Sequence, residues 1–121
     1  MKKTAFVLLF SLMAQLMSGA ISYIRRDGSW YKLYDEKGKS YKTLSANSVG
    51  NVVGWSSEFF IARNGSWYIF YDAGGKRYRS ASVSSIGEIV SVTGDTFTAI
   101  NGSWVKTYSK EGKLISTRSA H

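Results

Sequence analysis

Phe59-Phe60-Ile61-Ala62-Arg63-Asn64-Gly65-Ser66-Trp67-Tyr68-Ile69-Phe70-Tyr71-Asp72-Ala73-Gly74-Gly75-Lys76 reads as strand, turn, strand, turn. Phe59 to Arg63 is a short run rich in β-forming residues. Asn64-Gly65 is a dipeptide that favours a type I′ turn, in which both central residues need φ > 0. Ser66 to Tyr71 is dense in aromatic and β-branched residues. Asp72-Ala73-Gly74-Gly75 then turns the chain again, and its leading side-chain oxygen and closing glycine suit a type I turn ended by a left-handed residue. Outward from this stretch, Lys76 to Ala81 makes a third strand centred on Tyr78. The serine-rich connection Ser82-Val83-Ser84-Ser85 follows, then a fourth strand from Gly87 to Val92, closed by Thr93-Gly94-Asp95.

The same unit is written three times. Gly28-Ser29-Trp30, Gly65-Ser66-Trp67 and Gly102-Ser103-Trp104 are each 37 positions apart, as are Tyr34, Tyr71 and Tyr108, Gly38, Gly75 and Gly112, and Lys39, Lys76 and Lys113. A period kept without insertion is one supersecondary unit copied, with copies at about 23–59, 60–96 and 97–121. The third copy stops before its fourth strand, so the expected allotment is four, four and three, eleven strands in all. The chain has no proline, and after residue 20 no stretch shows helical spacing of apolar residues. The expectation is therefore an all-β fold of antiparallel meanders. In the second strand of each copy Trp30 and Tyr34, Trp67 and Tyr71, and Trp104 and Tyr108 share a side with Lys32, Ile69 or Lys106. The other side carries Tyr31 and Leu33, Tyr68 and Phe70, or Val105 and Thr107. A lone flat sheet shelters only one face, so the meander must roll, close or stack. A propeller-like or rolled array of three small sheets is expected, with a small β-trefoil as the alternative.

The chain has 121 residues and no cysteine. Met1-Lys2-Lys3, the apolar run from Ala5 to Met13 and the small residues Ser18-Gly19-Ala20 have the layout of a secretory signal peptide cleaved after Ala20. The run is too interrupted for a transmembrane helix, which needs about 20 apolar residues. Residues 21–121 then form a single three-repeat domain, held by its core alone because no disulfide framework exists. Removing Lys2 and Lys3 leaves 14 Lys and Arg against 8 Asp and Glu, a net charge of +6. The expected address is exported: the periplasm, cell surface or surroundings of a Gram-negative bacterium.

The pattern Gly-x-Trp-x-x-x-x-Asp-x-x-Gly-Lys runs from Gly28 to Lys39, and equivalent cores recur at Gly65 to Lys76 and Gly102 to Lys113. It resembles the bacterial WG-type β-repeats, in which a Gly-x-Trp strand precedes an Asp/Asn-x-x-Gly-Lys turn at a period in the mid-thirties. The resemblance covers essentially the whole exported chain and implies a repeat scaffold rather than an enzyme. Tyr31, Tyr68 and Val105 stand where that family carries glycine after the Trp.

No catalytic constellation emerges from the residue types. The one histidine, His121, is the last residue, where chains fray. Asp27, Asp35, Asp72 and Asp95 sit where turns want a short side-chain oxygen. A carboxylate pair for glycoside hydrolysis would have to come from residues such as Glu58 and Glu88. No His/Cys cluster suggests a metal, and no cofactor is expected. Asn64-Gly65-Ser66 and Asn101-Gly102-Ser103 match a glycosylation acceptor, but Asp27 in the first copy points to turn chemistry instead.

Two readings apply to the tryptophans. Trp30, Trp67 and Trp104 can be the equivalent core anchor of each copy, since aromatics dominate burial in small β domains. Alternatively they form an exposed row that stacks on sugar rings. Trp55 has no repeat partner, because Val92 takes its place. Lys39, Lys76 and Lys113, with Arg77, are the cations such a surface would offer to acidic groups, unless they are solvated residues that deter edge pairing. The candidate ligand residues are thus Trp30, Trp67, Trp104, Trp55, Lys39, Lys76, Lys113 and Arg77. The expected function is a non-enzymatic binding or structural module of the cell envelope recognising an acidic glycan or envelope polymer. The rival is a protein-assembly unit using an open edge left by the incomplete third copy, and a small glycosidase comes third. Nucleic acid is a poor partner for an exported protein.

Overall fold

The structure, a computed structural model, describes residues 20–121; the signal-peptide reading falls on residues 1–19 and lies outside them. Eleven strands form three antiparallel meanders. The first sheet contains β1 (Tyr23–Asp27), β2 (Trp30–Tyr34) and β3 (Ser40–Ser45). After a one-turn helix, α1 (Ala46–Val49), the second contains β4 (Asn51–Trp55), β5 (Phe59–Asn64), β6 (Trp67–Asp72) and β7 (Arg77–Ser82). A second one-turn helix, α2 (Val83–Ile86), leads to β8 (Glu88–Thr93), β9 (Thr96–Asn101), β10 (Trp104–Ser109) and β11 (Leu114–Ser119). The strand count matches expectation, but the allotment is three, four and four. The fourth strand of each copy pairs with the copy that follows it: β4 joins β5 across three residues, whereas β3 and β4 are separated by α1 and Gly50. Short connections stay within a sheet, and the longer one carries the chain to the next.

The sheets stack face to face, and none closes into a barrel, so the trefoil alternative does not form. Ile24, Tyr31 and Leu33 of the first sheet pack against Phe60, Ala62, Ile69 and Tyr71 of the second, with Ala46 and Val49 of α1 completing this core. The opposite face of the second sheet, Phe59, Ile61, Tyr68 and Phe70, packs against Phe97, Ala99 and Tyr108 of the third, with Ile86 of α2. The middle sheet is apolar on both sides because, among the described residues, it is the one with a neighbour on each. In both cores a stacked pair recurs one repeat apart: Phe60 on Tyr71 at 4.7 Å, and Phe97 on Tyr108 at 5.0 Å.

The serine-rich connections are helical turns rather than loops. A single turn puts Ala46 and Val49, or Val83 and Ile86, on one side, where they plug the seam between sheets. Gly50 and Gly87 end the turns at φ 90° and 92° and lie against the Arg63 and Ile100 carbonyls, so that neither position has room for a Cβ.

Sheets are also latched by tyrosine. The Tyr31 hydroxyl donates to Gly50 O at 2.9 Å and accepts from Val52 N–H, and Tyr68 does the same to Gly87 O at 2.7 Å and Ile89 N–H. Tyr41 and Tyr78, each at a bulge, donate at 2.6 Å to the carbonyls of Ala73 and Lys110 in the next sheet's hairpin. In the third sheet Val105 and Ile115 occupy both positions.

Candidate functional site

Trp30, Trp67 and Trp104 each open a strand directly after a two-residue hairpin loop, as in Asn64↔Trp67 with Gly65-Ser66 between. Only the glycine has positive φ (62°, 64° and 62° at Gly28, Gly65 and Gly102), and among the described residues no non-glycine residue does. The turn therefore has the II′ signature and not the expected I′. Its centre is Gly-Ser, and the Asn is the last residue of the strand.

Displaced from the turn centre, the Asn side chain does another job. Asn64 Nδ2 donates to Ser48 O of α1 at 3.4 Å, and Asn101 Nδ2 to Ser85 O of α2 at 3.1 Å. The same helices begin on the preceding hairpin, through Ala46 N–H to Ser29 O and Val83 N–H to Ser66 O. The three Trp hairpins are thus tied in a row along one rim of the stack, each to the next through a one-turn helix. Asp27, at the Asn position of the first copy, instead pairs with Lys32 Nζ at 3.3 Å.

The core-anchor reading of the tryptophans is overturned. Trp30, Trp67 and Trp104 are 49, 52 and 51 % exposed. No sheet precedes the first, among the described residues, yet Trp30 is no more exposed than the other two, so a preceding sheet does not cover this position. The core anchors are the neighbours Tyr31, Leu33, Tyr68 and Phe70.

A groove of about 440 Å³ runs beside Trp67, lined by Asn64, Trp67, Ile69, Arg77 and Ser80. Trp67 and Asn64 stand at one end, and Arg77, paired with Tyr71, at the other. Lys32 and Lys106 occupy the place of Ile69 beside Trp30 and Trp104. These two cations were not among the candidates, although their two-residue spacing from each Trp put them on the same strand face.

The remaining candidates lie elsewhere. Lys39, Lys76 and Lys113 follow the second hairpin of each copy, at the far end of strands that run about 13 Å from the Trp. These hairpins are the expected type I turns closed by a left-handed glycine: Asp35 and Asp72 Oδ1 each accept two backbone N–H groups at 2.9–3.0 Å, and Ser109 Oγ accepts from Lys113 N–H. Arg26 and Arg63 bond the carbonyls of the turn glycines through Nε at 3.1 Å. Lys42 and Arg79 lie over Gly75 and Gly112 of the next sheet.

Trp55 is separate from the row. Its repeat equivalent Val92 lies on Gly54 of β4, where an added Cβ would come within 2.6 Å of Val92 Cγ2. The first sheet has no described strand in β4's position, and Trp55 leans instead edge-on against Tyr23, with ring centroids 5.7 Å apart. Its size fills space that a strand fills in the next interface.

Among the described residues no group of His, Asp and Glu is arranged to hold a metal, and no helix is long and apolar enough to cross a membrane. No protein-family model matches the chain, and no curated protein matches it.

Proposed function

We propose that this chain is a non-enzymatic, exported binding module of the cell envelope that recognises an acidic glycan through its rim of tryptophans and cations. The observation that carries the reading is the equal half-exposure of Trp30, Trp67 and Trp104 at one repeat position. Burying a large aromatic is strongly favourable, so a repeat that leaves the same ring in water three times gives it something other than core to meet. A cation shares each ring's sheet face: Lys32, Arg77 in the groove, and Lys106. Flat apolar rings suit sugar faces, and the positive net charge draws polyanions. Asp35 and Asp72 are engaged in turns, and Glu58, one member of the carboxylate pair considered for hydrolysis, pairs with Lys110 at 3.1 Å. The repeat string, similar to WG-type scaffolds, fits a binding role.

Titration calorimetry with polygalacturonate and a neutral glucan tests this. Binding of the acidic polymer that weakens on Trp67→Ala and Arg77→Ala is the expected result. Unchanged binding in both variants would remove the rim from consideration.

The three-stranded first sheet favours a second reading, assembly through an open edge. β8 brings the third sheet to four strands, so among the described residues the edge that is one strand short is β1. Among the described residues its Tyr23–Arg26 backbone has no counterpart of the strand that β4 and β8 provide to β5 and β9. An added strand from a partner would complete it, and Trp55 would have to swing away from Tyr23. Concentration-dependent association that Trp55→Ala strengthens is the expected signature in sedimentation.

A further inference from the structure

We infer that Trp30, Trp67 and Trp104 are three successive subsites for one extended acidic glycan chain, one subsite to a sheet. The inference rests on the glycan reading above and adds its geometry. The rim hairpins are joined hairpin to helix to hairpin by Ser29–Ala46, Ser48–Asn64, Ser66–Val83 and Ser85–Asn101 contacts, so the rings follow one another along a single edge. Face-packed sheets lie about 10 Å apart, which sets the step between neighbouring rings. Two sugar rings of an extended chain span a comparable length. A polymer with a two-ring repeat therefore offers the same sugar face to each tryptophan in turn, and a single sugar reaches only one.

The subsites differ in charge. In the first, Asp27 neutralises Lys32 at 3.3 Å. In the second, Asn64 replaces that carboxylate, Ile69 replaces the lysine, and Arg77 supplies the cation at the far end of the groove. In the third, Asn101 and Lys106 leave a cation without the carboxylate found in the first. Acid groups of the ligand are thus met at the second and third sheets, while the first contributes stacking. An acidic glycan is the committed occupant because ring stacking and spaced cations are offered together, with polar Ser80 between them in the groove.

The test is calorimetric titration of protein expressed from the full 1–121 sequence with oligogalacturonates of increasing length. Affinity should climb with length and level off once all three sheets are spanned. Each single Trp→Ala change should weaken the long oligomer by about three- to tenfold, the worth of one stacking contact, and Trp→Phe should weaken it less. Asp27→Asn should strengthen long-oligomer binding by freeing Lys32. Melting curves of the variants exclude loss of fold, and protection of tryptophan fluorescence from iodide by the bound oligomer gives a readout independent of affinity. Affinity that stops rising at the disaccharide, or that depends on one tryptophan alone, overturns the ladder and leaves the glycan reading standing. Absence of binding at every length removes both, as does preferential binding of a single-stranded nucleic-acid homopolymer.

Discussion

The Tyr68 hydroxyl both donates to Gly87 O and accepts from Ile89 N–H, so Tyr68→Phe strands a carbonyl and an amide at the seam between two sheets. Losing one partner of a part-buried hydrogen bond costs about 1–3 kcal/mol, and a urea titration should show a fall of that size. Tyr41 and Tyr78 make a different prediction. Burial, reinforced by Asp35 and Asp72 at Tyr41 and by Glu111 and Asp72 at Tyr78, where Arg79 opposes, raises both phenols from 10.0 to about 12. The folded protein holds these protons more tightly than the unfolded chain. Their contribution is therefore complete below about pH 10 and is lost as pH rises from there through about 12. The urea midpoint should fall across that window. In the double variant Tyr41→Phe/Tyr78→Phe, stability should be lower at neutral pH and its alkaline decline shallower. An equally steep decline in the double variant would assign the pH dependence to other groups.

Hairpins and linkers use glycine for different reasons, and substitution separates them. At Gly65, φ is 64° but nothing lies within 4 Å of a Cβ, so Gly65→Ala meets only the left-handed backbone cost of about 1–2 kcal/mol. At Gly87 a Cβ also runs into the Ile100 carbonyl, and Gly87→Ala should lower stability clearly more than Gly65→Ala in the same denaturation assay. Gly87 read as the start of a strand, whereas Gly65 was legible in the sequence, as were the eleven strands and the Asp-led turns, because each follows from local residue chemistry. Three features were not. The turn type depended on register: pairing of Asn64 with Trp67 moves the loop centre by one residue. The strand allotment depended on phase, which a period does not contain, although the lengths of the β4–β5 and β3–β4 connections pointed to it. Exposure of the tryptophans was hidden because repetition shows only that three environments are alike. The latches did leave a trace, in the loss of Tyr31 and Tyr68 to Val105 and of Tyr41 and Tyr78 to Ile115 in the final copy.

The stack as a whole is a head-to-tail object, since every interface joins one kind of face to the other. Such interfaces propagate without limit unless the ends are altered, and terminal repeats are expected to present polar outer faces. Among the described residues, the outer faces of the first and third sheets carry substitutions at core positions. On the outer face of the first sheet, Tyr23, Arg25, Lys32 and Tyr34 stand where the second sheet has Phe60, Ala62, Ile69 and Tyr71. On the outer face of the third, Thr98, Val105 and Thr107 replace Ile61, Tyr68 and Phe70, and the two threonine hydroxyls lie 3.4 Å apart. Tyr23 and Tyr34 still keep the aromatic pair of the buried interfaces, tilted and 6.2 Å apart. Polarity at the first end therefore rests chiefly on Arg25 and Lys32, each of which would carry a charge into any interface formed there, Lys32 together with its Asp27 partner. Replacing them with the middle sheet's residues, Arg25→Ala/Lys32→Ile, should recreate an acceptor face and produce association that grows with concentration in sedimentation velocity. The unaltered protein should associate less under the same conditions, and adding Tyr23→Lys to the double variant should reverse the effect. A double variant that sediments like the parent would show that the threonine face of the third sheet is enough to stop propagation by itself.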